Sequence, residues 1–203
     1  MSAVAASAAD VPVSERGPSP RKAIVGYGFW LFLLSDIIVF SAFFAAYAVL
    51  AGRTAGGPGG VQLFHRGNVL LETGCLLLSS FACAMMSVAV ELRHRRLMVL
   101  GAAVTFALGA AFLALELTEF GDMLARGDGP DRSAFLSAFF ALVGLHGLHV
   151  ASGLAWLVVM MAQVFTLGWR PLVVGRLACF ALFWHALDIV WIGVFTIVYL
   201  GAR

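Results

Sequence analysis

An all-α bundle of five membrane-spanning helices is the fold class this sequence predicts, and three observations carry it. Of the 203 residues, 62% are hydrophobic and only 12% charged, whereas a water-soluble domain of this length needs far more polar surface. The apolar residues gather into five runs, each about 20 residues or more, the length an α-helix needs to cross the hydrocarbon core. Those runs do not alternate apolar with polar, which disfavours a membrane barrel. The net charge of +2 supplies no basic face for nucleic acid, and none is expected as a partner.

The elements follow in order. Residues 1–24, opening MSAVAASAADVPVSERGPSPRK, are small, polar and rich in Ala, Ser and Pro. They lack the basic-then-apolar order of a cleaved signal peptide, so a disordered cytoplasmic tail is expected there, ahead of one five-helix domain over 25–203. The spans are expected at 25–51, 69–91, 97–120, 135–167 and 174–200. Between them RTAGGPGGVQLFHRGN reads as a Gly-rich loop and ELRHRRL as a tight basic one. RGDGPDRS is polar and carries a helix-start signal, and WRPLVVGR joins the last two spans. Cys75, Cys83 and Cys179 all lie in apolar runs without CxxC spacing and are expected as buried free thiols. No internal repeat is visible, which counts weakly against an inverted-repeat transporter.

Basic residues near short loops set the expected orientation. The tail, the second loop and the fourth loop hold Arg16, Arg21, Lys22, Arg93, Arg95, Arg96, Arg170 and Arg176, eight in all. The opposite side holds five: Arg53, Arg66, Arg126, Arg132 and Arg203. The N-terminus is therefore expected in the cytoplasm and the C-terminus in the periplasm.

Ionisable side chains are costly inside the hydrocarbon and usually face protein or a wet cavity. Asp36, His146, His149, His185 and Asp188 fall near the middle of their spans, while Glu72, Glu116 and Glu119 fall toward the outer side. His146 and His149 are three apart, as are His185 and Asp188, so each pair shares a helix face. Trp184, Asp188 and Trp191 form one stripe, and GLHGLHVASG places Gly144, Gly147, Ala151 and Gly153 where another backbone can approach. A packed polar seam between the last two helices is the expectation. Three readings fit it: a satisfied hydrogen-bond network or lipid contact, a proton relay resting mainly on Asp36, and metal or haem ligation. The residues alone leave all three open. Against ligation, two histidines one turn apart do not sandwich a haem, and the Glu-x-x-His pairs of di-iron bundles are missing.

No GxSxG serine motif or phosphate loop appears, and Ser35 has no histidine near it in sequence. The three glutamates suit either a cation at the outer surface or, more commonly, the anchoring of a helix end or pairing with a neighbouring subunit's arginine.

Several stretches together resemble one family. GLHGLHVASG in the fourth span and FWHALDIVWIGVFTIVYL in the fifth resemble the signature of subunit III of haem–copper respiratory oxidases. YGFWLFLLSDIIVFSAFFAAYAVL is similar to the family's helix bearing a buried acid after a serine; GPDRSAFLSAFFALVG and the Glu119–Phe120 pair also fit. The resemblance covers residues 27–201 and is closest to the short, five-helix form of bacterial bo-type ubiquinol oxidases.

That resemblance implies a non-catalytic subunit of a terminal oxidase in the bacterial inner membrane. The complex would oxidise ubiquinol, reduce dioxygen to water and pump protons. It implies that haem and copper sit in partner subunits, with neither metal nor cofactor in this chain. The implied partners are the catalytic subunit I, subunit II, a small subunit IV and phospholipids. His146, His149, Trp184, His185 and Asp188 match recurring motif positions that imply packing and lipid contact. Asp36 matches the buried acid linked to fast proton uptake, a glutamate in many relatives. The alternatives are a subunit of a cytochrome c-oxidising enzyme, a small proton channel or transporter, and a membrane cytochrome in its own right.

Overall fold

The computed structural model describes residues 21–57, 59–63 and 66–201, and all regular structure within them is helical. Helices α1 (Arg21–Leu50), α3 (Arg66–Glu91), α4 (Arg95–Ala125) and α5 (Ala134–Leu167) are joined by short connections. A short α2 (Gly60–Leu63) interrupts the Gly-rich loop, and α6 (Pro171–Val194) runs on into a π-helical turn, Phe195–Leu200. Five helices are long and apolar enough to cross a membrane, so the protein is a multi-pass membrane protein. The expected tail falls largely on residues 1–20, outside the described residues; α1 is already helical from Arg21.

Helices α3, α4, α5 and α6 form a ring in which each touches its two neighbours: α3 with α4, α4 with α5, α5 with α6, and α6 back to α3. The α3–α4 contact is the most extensive. Its tightest point is Gly101, where an added Cβ would lie 2.9 Å from Met86 Cβ and 3.1 Å from the Ala82 carbonyl oxygen. Small residues at such a point let backbones approach, the main source of contact energy between helices in lipid.

Helix α1 lies outside this ring and packs on α5 and α6. Its buried residues, Leu33, Phe40 and Tyr47, stand seven apart. Partly buried Phe29, Asp36, Phe43 and Leu50 fill the alternate three- and four-residue steps between and around them. That is the narrow a/d seam of a coiled coil rather than a broad buried face. Asp36 sits in that seam. Ile24, Leu31, Leu34, Ile38 and Val49 on its other side are exposed and apolar, as a lipid-facing surface requires.

The helix ends follow local rules. Ser133 caps α5, its Oγ accepting from the Leu136 N–H at 3.2 Å, the start signal read in RGDGPDRS. Pro171 occupies the first turn of α6, where its missing N–H costs nothing. Helix α4 ends in a Schellman motif: Asp128 N–H reaches the Met123 carbonyl at 2.9 Å, Gly127 N–H reaches Leu124 at 3.0 Å, and Gly127 takes φ +78°. Helix α3 ends in the same motif, with His94 N–H on Ala89 at 2.9 Å and Arg93 N–H on Val90 at 3.2 Å. There the left-handed position is Arg93, at φ +55°.

A side chain in that conformation costs about 1–2 kcal/mol. Arg93→Gly is therefore expected to raise the thermal unfolding midpoint of the purified protein by a few degrees. An unchanged or lower midpoint would mean that Arg93 side-chain contacts outweigh the strain.

Candidate functional site

The polar residues of α6 are placed by its helical period against three different neighbours. Trp184 and Trp191, seven residues apart, point into the ring. The Trp184 Nε1–H donates to Ser79 Oγ of α3 at 3.0 Å. Its ring runs so close to Gly109 of α4 and Gly153 of α5 that a Cβ there would come within 2.8 Å and 3.0 Å of it. One layer along, Trp191 Nε1–H donates to Thr73 Oγ1 of α3 at 3.1 Å. Its ring meets Phe112 of α4 edge-on at 4.7 Å and His146 of α5 at 5.2 Å. Each indole thus touches all four helices of the ring.

The two hydroxyls work in both directions. Ser79 Oγ donates to its own Leu76 carbonyl at 2.7 Å, and Thr73 Oγ1 to Val69 at 2.8 Å, while each accepts an indole N–H. Both donors and both acceptors are satisfied without water, the condition a buried polar group must meet. Beside them Ser80 Oγ lies 2.7 Å from His185 Nδ1, so His185 pairs with the neighbouring helix rather than with Asp188. Asp188 lies near Ser80 and His185, but its buried Oδ1 has no hydrogen-bond partner.

The expected seam between the last two helices is one side of a wider contact: toward α5 the α6 side chains make ring and van der Waals contacts, Trp191 on His146 and Trp184 on Gly153, while their hydrogen bonds run to α3. The small residues of GLHGLHVASG do not admit a backbone. They make room for side chains: Gly147 for the Glu116 carboxyl, Gly153 for Trp184, and Gly144 for the Phe120 ring. The sequence reading passed over Thr73, Ser79 and Ser80. Their signal was hydroxyls six and seven residues apart, close to the seven-residue step of the tryptophans, inside an otherwise apolar run.

The histidines have separate surroundings. His146 is fully buried among Phe112, Trp191 and Phe40, with neither ring nitrogen hydrogen-bonded. His149 Nδ1 lies 2.8 Å from the Leu145 carbonyl. A carbonyl only accepts, so Nδ1 carries a proton and Nε2 is the atom facing Asp36, 3.9 Å from its Oδ1. That distance is too long for a direct hydrogen bond. Phe40 stacks beside His149 at 5.1 Å, and a small cleft lined by Leu33, Asp36, Phe40, Phe183 and Leu187 opens between α1 and α6. Because the three histidines do not converge, they make no ligand set. Among the described residues no three His, Cys, Asp or Glu side chains are grouped so as to hold a metal ion.

Glu72, Glu116 and Glu119 are not at a surface. All three are buried inside the ring around Tyr199. Both oxygens of Glu72, Oε2 of Glu116 and Oε1 of Glu119 have no hydrogen-bond partner. A Cβ on Gly147 would fall 2.6 Å from Glu116 Oε1, so α5 needs glycine at that point. The cysteines are free, Cys83 fully buried and Cys75 and Cys179 partly so.

Residues 19–202 match the family model described as cytochrome c oxidase subunit III. The chain is 52% identical over 176 residues to cytochrome bo(3) ubiquinol oxidase subunit 3 of Pseudomonas aeruginosa, covering 86% of this chain and 83% of that one. It is 43% identical over 173 residues to the protein of the same name in Buchnera aphidicola subsp. Baizongia pistaciae, covering 85% and 89%. It is 38% identical over 173 residues to cytochrome c oxidase subunit 3 of Bacillus sp. (strain PS3), covering 85% and 84%.

The indole–hydroxyl bonds are open to measurement. Thr73→Val keeps the volume but strands the Trp191 N–H, and is expected to destabilise by about 0.5–2 kcal/mol, the range of interhelical hydrogen bonds in lipid. Thr73→Ser keeps the acceptor and should lose less. Equal unfolding free energies for the two variants would remove the hydrogen bond from the account.

Proposed function

The chain belongs to the cytochrome c oxidase subunit III family, and we propose that it is the third, non-catalytic subunit of a proton-pumping terminal oxidase that oxidises ubiquinol and reduces dioxygen to water. The observation that carries this reading is the sequence identity shared with the Pseudomonas aeruginosa ubiquinol oxidase subunit over most of both chains.

The geometry suits a supporting role. Two indoles tie four helices together at two depths. Haem and copper belong, on this reading, to partner subunits, where they supply the oxygen and electron chemistry. The partners are the catalytic subunit, subunit II, a small fourth subunit and phospholipids, in the bacterial inner membrane. The excess of basic residues on the tail, second and fourth loops supports a cytoplasmic N-terminus and a periplasmic C-terminus.

Asp36 is the residue this reading ties to proton uptake. Its carboxyl is partly exposed in the α1 seam and faces His149 Nε2 of α5 at 3.9 Å. The pair sits at mid-membrane, away from the ring's central layers, so losing it disturbs little packing.

Purification of the tagged chain in mild detergent, followed by a reduced-minus-oxidised visible spectrum, tests the assignment. Haem bands are expected to arrive with a larger membrane subunit; a stable, colourless chain purified alone would sink the reading. In the same preparation Asp36→Asn is expected to leave haem content unchanged and to alter only proton delivery or the number of turnovers before inactivation. Loss of the haem bands on that substitution would give Asp36 a structural role instead.

A further inference from the structure

The carboxyls inside the ring lie where α3 begins and α4 finishes, and they lack hydrogen-bond donors. Glu116 and Glu119 of α4 are 3% and 6% exposed, and Glu72 of α3, which faces both, is 0% exposed. An ionised carboxyl only accepts hydrogen bonds. Both oxygens of Glu72, together with Glu116 Oε2 and Glu119 Oε1, are enclosed and receive none. Such acceptors are nearly always paired in proteins, because an orphan has given up water and gained nothing.

The neighbouring elements do not supply what is missing. Gly147 of α5 lies against the Glu116 carboxyl but gives it only space, since a mid-helix N–H belongs to the helical ladder. His146, beside Gly147, turns its ring to Phe112 and Trp191. Tyr199, which the π-turn brings among the carboxyls, carries one O–H and serves one oxygen at most; Tyr47 of α1 also faces it. Arg126 is the cation facing Glu119, and Asp122 faces the same carboxyl with the opposite charge. The Arg126 Nε–H is already given to the Asp122 carbonyl at 3.1 Å.

A carboxyl that keeps its proton donates as well as accepts, so neighbouring acids pair with one another and need no other group. Three carboxylates facing each other inside a low-dielectric ring would instead repel, with nothing to offset them but one arginine at the helix end. We propose that Glu72, Glu116 and Glu119 form a proton-holding site inside the ring, where they are kept as neutral acids bonded to one another at neutral pH. The ligand of this site is the proton, and its effect is to join α3 to α4 beside the π-turn. In the unfolded chain the same groups ionise at neutral pH. The folded chain therefore binds more protons than the unfolded one, and its stability falls as pH rises.

Infrared spectra of the purified full chain, with whatever subunits accompany it, test the site. Glu72→Gln keeps the size, the neutrality and a donor. The wild-type minus Glu72→Gln spectrum at neutral pH is expected to show the carbonyl band of a protonated acid, moving to lower frequency in deuterated water. Carboxylate bands in its place would overturn the proposal. So would failure of the Glu72→Gln chain to reach the membrane folded, because a neutral side chain of that size would then not replace the acid. The thermal midpoint at which the tagged chain leaves the soluble fraction gives a second reading. It is expected to fall from about pH 6 to about pH 9, each held proton weakening folding by up to about tenfold per pH unit. In Glu72→Gln/Glu116→Gln the fall should be shallower; equal slopes would overturn the proposal. Stabilisation of the wild type by sodium, potassium or calcium, lost in the glutamine variants, would assign the site to a cation instead. Every readout is of the chain itself, so a colourless preparation removes the oxidase reading and leaves the proton site standing.

Discussion

The indole N–H groups of Trp184 and Trp191 need acceptors where there is no water, and meeting that need organises the bundle. An unsatisfied donor in hydrocarbon costs several kcal/mol, so the acceptors must come from the protein. They come from α3. Because α3 and α6 are antiparallel, the seven-residue step from Trp184 to Trp191 runs opposite to the step from Ser79 and Ser80 back to Thr73, and both layers register at once. Large indoles in the centre of a ring then require small residues opposite. Gly109 on α4 and Gly153 on α5 provide them. Spacing, hydrogen bonding and glycine placement are thus one constraint met on four helices.

Beyond the two layers the interior becomes more polar toward one end. Thr73 is followed in α3 by the Leu76 and Ser79 turn on one side and preceded by Glu72 on the other, and Glu116 lies one turn beyond Phe112 in α4. These carboxyls gather around Tyr199, which the π-helical turn brings inward beside its neighbour Val198. A regular α-helix turns consecutive residues by about 100°, so burying two in a row is eased by the wider turn. Gly147 completes the arrangement by leaving the Glu116 carboxyl space against the α5 backbone.

Helix α1 is held differently. A narrow heptad seam attaches it to α5 and α6, and most of its surface faces outward. The seam carries a carboxyl that faces a histidine across a helix boundary, Asp36 toward His149. The Asp36–His149 pair therefore joins the outer helix to the ring, while the indole–hydroxyl bonds lie inside the ring. That division suits an auxiliary subunit of the oxidase family.

The number of spans, their approximate limits and the helix start at Ser133 were legible in the sequence. Each depends on local rules: a minimum apolar length, a capping hydroxyl, a position along a run. The short helix at Gly60–Leu63 and the π-turn at Phe195–Leu200 were not legible, because neither interrupts the apolar or Gly-rich pattern around it. The partners of the polar residues were not legible either. Helical spacing places Trp184, Asp188 and Trp191 on one stripe but does not say which helix that stripe meets. In a soluble bundle the polar face of each helix marks the outside. In lipid both the core and the surroundings are apolar, so α6 carries no such mark. The pairing with α3 rather than α5, the burial of Glu72, Glu116 and Glu119, and the use of glycines for side chains rather than backbones were decided only when the helices packed.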